Sequence, residues 1–192
     1  MKKIIAIVLL TSIIGCKKDL LDTSPYSSVS TATMWTTDNL TDLGIAGIYS
    51  SFRLLMGHSG LISPYELYQF DRFSYTGQAR FDEPLLTGTI PAGDPLFVNV
   101  WKIQYEGIQR ANDALKNIPL KSPSTAEKKA KYIAEAKFLR AYFYFRLNQL
   151  YKGVPIYLEP FTAAEAIKGR SSEDDVWNQI LADLNDCIAE TN

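Results

Sequence analysis

The chain has 192 residues, of which 46% are hydrophobic and 21% charged, an ordinary globular composition that is sufficient for one buried core. The formal net charge of -1 provides no electrostatic attraction for nucleic acid, so nucleic acid is excluded as a partner. Two cysteines, Cys16 and Cys187, are too few for a disulfide framework.

The first sixteen residues have the pattern of a bacterial lipoprotein leader. Lys2 and Lys3 form a basic start, and the apolar run at 4–14 is shorter than the roughly 20 residues that a spanning helix needs. Gly15 and Cys16 follow, and a small residue before a cysteine is where bacterial lipoproteins are cleaved and acylated. We predict a signal peptide at 1–15 and lipid, such as palmitate, on Cys16 as a membrane anchor. The alternative is an ordinary secretory signal with a chance cysteine.

Residues 16–37 are predicted to form an extended tether, because they are rich in Ser, Thr, Asp and Pro and show no sustained helical period. A first helix is predicted after them, with Thr37 or Asp38 as its cap. Its apolar residues recur at helical spacing: Leu40, Leu43, Ile45, Ile48, Tyr49, Phe52 and Leu55. Gly44 and Gly47 weaken this helix and predict close packing against a neighbour.

Residues 57–95 are predicted to be one long irregular insertion, because glycines and prolines break any long period. Aromatic residues concentrate within it, and five of them are our candidate ligand-binding residues: Tyr65, Tyr68, Phe70, Phe73 and Tyr75. Aromatic faces beside polar groups such as Gln69 and Arg72 can stack on sugar rings and hydrogen-bond their hydroxyls. The alternative is that these rings cover the helical core from one side.

Three more helices are predicted after the insertion. The second carries a stripe of residues spaced three and four apart that ends at Pro119: Trp101, Tyr105, Ile108, Asn112 and Leu115. Asn112 must be hydrogen-bonded if it is buried, since an unsatisfied amide costs about 1 to 3 kcal/mol.

The third helix is predicted to open with a capping box of Ser124 and Glu127, to end at Gly153 and Pro155, and to be about 40 Å long. It has two apolar stripes, one of Phe138, Ala141 and Phe145 and the other of Leu139, Tyr142, Phe143, Leu147 and Leu150. Neighbours must therefore cover it from two sides, as they cover a central helix in a stacked array.

The last helix is predicted to start near Ser171 or Ser172 and to bury six apolar residues: Val176, Trp177, Ile180, Leu181, Leu184 and Ile188. The predicted fold class is all-α, with tetratricopeptide-like stacked antiparallel helices and the irregular insertion. Helix faces suggest this stack, since no repeat of about 34 residues can be aligned.

No catalytic or metal site is predicted. His58 is the one histidine and lies in the irregular insertion, so a multi-histidine metal site or a catalytic relay is not available. Asp174 and Asp175 are adjacent at a helix start and are read as N-terminal capping residues, and Cys187 is read as a small buried thiol. No cofactor is expected apart from the covalent lipid on Cys16.

Four segments in order resemble the SusD/RagB family of outer-membrane lipoproteins. Residues 16–25, CKKDLLDTSP, resemble its lipidated start, with Leu21, Asp22 and Pro25 at the family's spacing. The second helix, from Trp101 to Leu115, resembles that of the family, and residues 135–160 match its most specific signature, EAKFLRAYFYFRLNQLYKGVPIYLEP. Residues 169–184, GRSSEDDVWNQILADL, resemble the helix that follows.

The resemblance implies a tetratricopeptide-like helical fold on the outer face of the outer membrane. It further implies a non-catalytic protein that captures an oligosaccharide, or sometimes a peptide, for a SusC-like TonB-dependent transporter. The matched residues occupy core and capping positions, so they transfer fold rather than ligand identity.

Family members usually have several hundred residues, so residues 38–192 are expected to be an N-terminal helical domain that is incomplete at its C-terminus. The last helix should then expose an apolar patch. Three alternative functions remain open: a scaffold that binds another protein and no glycan, a truncated form without activity of its own, and a surface glycoside hydrolase. The hydrolase would need two carboxylates facing each other across roughly 5 to 9.5 Å.

Overall fold

The computed structural model describes residues 33–52, 88–91 and 93–191 of the 192, apart from the side chains of Leu96, Glu190 and Thr191. The chain divides into two compact units, Met1–Met34 and Trp35–Asn192, and nearly all described residues belong to the second. Within the described ranges the secondary structure is entirely helical, which confirms the all-α class: α1 (Asp38–Tyr49), a 3₁₀ turn (Ser50–Phe52), α2 (Pro95–Lys121), α3 (Ala126–Tyr151) and α4 (Glu173–Thr191).

The helix α1 starts where the sequence predicts it. The Thr37 side chain accepts a hydrogen bond from the Leu40 backbone N–H at 3.1 Å, so Thr37 is the N-cap. The core side of the helix is formed by Thr41, Gly44, Ile45 and Ile48, whereas Leu43 and Tyr49 are exposed. Burial of the apolar stripe is therefore partial.

Trp35 fixes the chain that enters α1. Its φ of 75° is unusual for a residue with a side chain, and this backbone conformation is held by burial of the indole and by its Nε1–H, which donates to Asp113 Oδ2 on α2 at 3.0 Å. The indole lies directly over Gly44, where an added Cβ would come within 2.3 Å of the ring. The expected close packing is confirmed at Gly44 but not at Gly47, where an added Cβ would meet nothing within 4 Å.

The helix α2 is longer than its apolar stripe indicates. It begins at Pro95, where a proline is favoured because the first helical N–H has no intrahelical acceptor, and it continues through Pro119 to Lys121. The predicted stripe does face the interior, with Ile108 and Asn112 buried and Trp101, Tyr105 and Leu115 half-buried.

The predicted capping box at the start of α3 is wrong. Thr125, rather than Ser124, caps the helix by accepting from the Lys128 backbone N–H at 3.2 Å. Ser124 is buried instead, and its hydroxyl donates to Asp38 Oδ1 at 2.6 Å while accepting from Ser122 Oγ at 3.0 Å. Both residues are good caps by type, and the contact with α1 decides between them.

The helix α3 lies at the centre of the described stack, in contact with α1, α2 and α4. Its pairing with α4 is antiparallel, because Lys137 bonds to Asp186 while Asn148 bonds to the Glu173 carbonyl. The end of α3 also follows expectation: Lys152 is the left-handed C-cap, and Gly153 follows it with a φ of 79°. The predicted central helix of an antiparallel stack is thereby confirmed.

Fewer apolar residues of α4 are buried than the sequence predicts. Ser172 caps the helix reciprocally with Asp175, as expected, and Val176 and Ile180 are buried. Leu181 and Ile188, however, are 56% and 59% exposed, so their prediction as buried residues is wrong. Helical spacing identifies an apolar face, but the described neighbours cover only the part of that face that meets α3.

The two glycines of α1 give a matched test of the packing between Trp35 and Gly44. We expect Gly44→Ala to lower the free energy of unfolding by about 1 to 3 kcal/mol, because the new methyl group must displace the indole. Gly47→Ala should be neutral or stabilising by up to about 1 kcal/mol, because alanine favours the helix and the site is open. Urea unfolding followed by circular dichroism measures both, and equal effects of the two substitutions would contradict the assigned role of Trp35.

Candidate functional site

The candidate residues from the sequence lie outside the described part of the chain. Cys16 belongs to residues 1–32, and Tyr65, Tyr68, Phe70, Phe73 and Tyr75 belong to residues 53–87. Lipidation at Cys16 and ligand binding by the five rings therefore stay predictions. His58 also falls in that second range.

A buried ion pair joins α3 to α4. Arg140 is 7% exposed and Asp183 is 2% exposed, and the guanidinium donates two hydrogen bonds to the carboxylate, from Nε at 2.8 Å and from Nη2 at 2.6 Å. Gln179 donates a further bond to Asp183 Oδ1 at 3.1 Å. This bidentate geometry, with both charges largely out of water, makes the pair costly to break from one side.

The same guanidinium reaches α2 and the segment 152–172 that connects α3 to α4. Arg140 Nη1 donates to Asn112 Oδ1 at 2.7 Å and to the Leu158 carbonyl at 3.3 Å. The Asn112 amide donates in turn to the carbonyls of Tyr157 and Glu159, at 3.0 and 3.1 Å. The expectation that a buried Asn112 must be hydrogen-bonded is confirmed.

Tyrosine and glutamine side chains hold the connecting segment at further points. Tyr144 Oη donates to the Tyr157 carbonyl at 2.9 Å and accepts from the Tyr157 N–H at 2.7 Å. Burial raises the pKa of Tyr144 above its ordinary value, so its phenol keeps the donated proton. Gln109 makes a similar reciprocal pair with the backbone of Phe161, at 3.1 Å for both bonds. The connection is therefore fixed to α2 and α3 although it is not helical.

Arg170, in the same 152–172 segment, caps carbonyls at the C-terminal end of α3. Arg170 donates from Nε to the Gly153 carbonyl at 2.8 Å and from Nη2 to the carbonyls of Lys152, at 2.9 Å, and Tyr151. A cation on these C-terminal carbonyls is favoured by the helix dipole.

The aromatic rings near the 152–172 segment pack largely against one another. Tyr157 and Phe161 stack with centroids 4.1 Å apart, and Lys168 Nζ lies 5.6 Å from the centroid of the Tyr157 ring. Tyr105 meets Tyr157 edge-on at 5.9 Å and Trp101 at 5.0 Å. Burial raises the pKa of Tyr105, whose phenol donates to the Pro155 carbonyl at 2.7 Å. These rings stabilise the connection and leave few faces for a ligand.

An open apolar groove lies between α3 and α4. It encloses a volume of about 260 Å³. The helix α3 contributes Phe138, Ala141, Tyr142 and Phe145 to its lining, and α4 contributes Trp177, Ile180, Leu181 and Leu184. This lining, which we call the α3–α4 groove, is apolar and aromatic. A sugar ligand needs hydrogen-bonding groups beside its stacking faces, so the groove is poorly suited to a glycan.

The described ranges contain no group of three or more His, Cys, Asp or Glu residues placed to hold a metal ion. None of the helices in those ranges is both long enough and apolar enough to cross a membrane.

A family model described as starch-binding and associating with the outer membrane, SusD-like, matches residues 19–190. The chain belongs to the SusD-like family. It is 28% identical over 204 residues to SusD-like protein P38 of Formosa agariphila, an alignment that covers 97% of this chain and 36% of that protein. The chain thus spans about a third of the length of this relative.

Solved SusD-like structures share the helical arrangement. A SusD-like carbohydrate-binding protein of Bacteroides fragilis superposes with a TM-score of 0.70 at 25% identity, over 82% of this chain and 32% of that one. A SusD-like protein described as laminarin-binding superposes with a TM-score of 0.66 at 24% identity, over 81% of this chain and 34% of that one. These likenesses support the tetratricopeptide-like stack and the SusD/RagB assignment made from the four sequence segments.

Sequence reasoning missed the ion pair of Arg140 and Asp183. A signal was present, because each residue occupies the apolar face of its helix: Arg140 is one turn from Ala136 and Tyr144, and Asp183 is seven positions after Val176. A charge on a buried face requires a partner of opposite sign on a neighbouring element.

Removing one partner of the Arg140–Asp183 ion pair should destabilise the fold much more than removing both. We expect Arg140→Met to lower the free energy of unfolding by about 3 to 5 kcal/mol, because it leaves the Asp183 carboxylate buried and unpaired. Arg140→Met combined with Asp183→Leu should regain a large part of that loss. Urea unfolding at neutral pH measures both.

The control for this comparison is Lys116→Ala, which removes a well-exposed ion pair with Glu159 and should cost less than about 1 kcal/mol. A double variant that is no more stable than Arg140→Met would show that the pair itself, rather than its isolated charge, carries the stability.

Proposed function

We propose that this protein is a non-catalytic lipoprotein that captures an oligosaccharide at the outer face of the outer membrane and delivers it to a SusC-like TonB-dependent transporter. The observation that carries the proposal is the family match across residues 19–190, to a model described as starch-binding and associating with the outer membrane. The similar protein of Bacteroides fragilis, described as carbohydrate-binding, supports the glycan as the ligand class.

The buried carboxylate of the described ranges has a structural role. Asp183 is the one carboxylate residue of the described ranges that is buried, and its two oxygens accept three hydrogen bonds from Arg140 and Gln179. A carboxylate held in this way is not free to act as a general acid or a nucleophile.

The five rings at Tyr65, Tyr68, Phe70, Phe73 and Tyr75 are the proposed ligand-contacting residues. Two features of the described part support this choice by contrast. The rings around Tyr157 are engaged with one another, and the surface of the α3–α4 groove is almost entirely apolar, so it offers little to orient a sugar. Residues 65–81 combine aromatic with polar side chains, as glycan sites require.

Glycan binding can be tested with the full chain in detergent micelles and a panel of labelled α- and β-glucan oligosaccharides. Replacing the five rings together by alanine should weaken binding at least tenfold, because each stacked ring contributes about 0.5 to 1.5 kcal/mol and 1.4 kcal/mol corresponds to a factor of ten. Circular dichroism establishes that the variant keeps its helices.

The control is Tyr49→Ala, which removes an exposed aromatic side chain of α1 and should leave affinity unchanged. Unchanged affinity in the five-ring variant would place the ligand elsewhere. Absence of binding by the folded wild type to any glycan, together with copurification of the transporter, would favour the protein-binding scaffold instead.

The lipid anchor has a separate test. In a bacterial host that processes lipoproteins, Cys16→Ser should abolish incorporation of radiolabelled palmitate and move the protein from the membrane fraction to the soluble fraction. Cys187→Ser is the matched control and should leave both properties unchanged. Palmitate incorporation that survives Cys16→Ser would contradict the assignment.

A further inference from the structure

We draw no further inference here: the strongest candidate, the partly exposed aromatic patch that Tyr49 and Phe52 form with Tyr142 of α3, is a surface for which nothing in the structure shows what covers it.

Discussion

The Arg140 guanidinium is the point on which the arrangement of the helices depends. It bonds to Asp183 on α4, to Asn112 on α2 and to the Leu158 carbonyl in the connection, while it is itself part of α3. A shift of α4 by one turn, about 5.4 Å, would leave both charges buried without partners. Apolar side chains tolerate several registers along a helix, whereas this set of hydrogen bonds can be completed in one. The network therefore specifies the register of the stack, a role for which buried polar groups are well suited.

Local signals in the sequence predict the four helices, although α2 extends beyond its apolar stripe at both ends. Thr37 and Ser172, each one of two predicted alternatives, cap their helices; such caps can be predicted because capping depends on a side chain and an amide only three residues apart. The error at Ser124 has a different origin. Ser124 and Thr125 are equivalent as caps by residue type, and the choice follows from a bond to Asp38, which is 86 residues away in sequence. Likewise, periodicity marks Leu181 as apolar but cannot say which neighbour, if any, covers it.

The parts of the molecule that could not be derived from the sequence are those that join distant segments. Arg140 and Asp183 are 43 residues apart, and nothing in the pattern of either helix names the other as its partner. The candidate ligand residues, from Tyr65 to Tyr75, present the reverse situation: composition identifies them, but they have no helical period from which a relative geometry could be worked out. Family membership transfers the scaffold to this chain and leaves the ligand to experiment.

Glycan capture makes a specific demand on a protein surface. A sugar presents hydroxyls on every edge, so its site must mix aromatic faces with donors and acceptors. The apolar α3–α4 groove does not meet this demand, whereas residues 65–81 have the composition for it. Because the polar network on Arg140 holds α3 and α4 in one register, the helical scaffold is set before any ligand arrives, and little ordering of these helices is left to oppose binding.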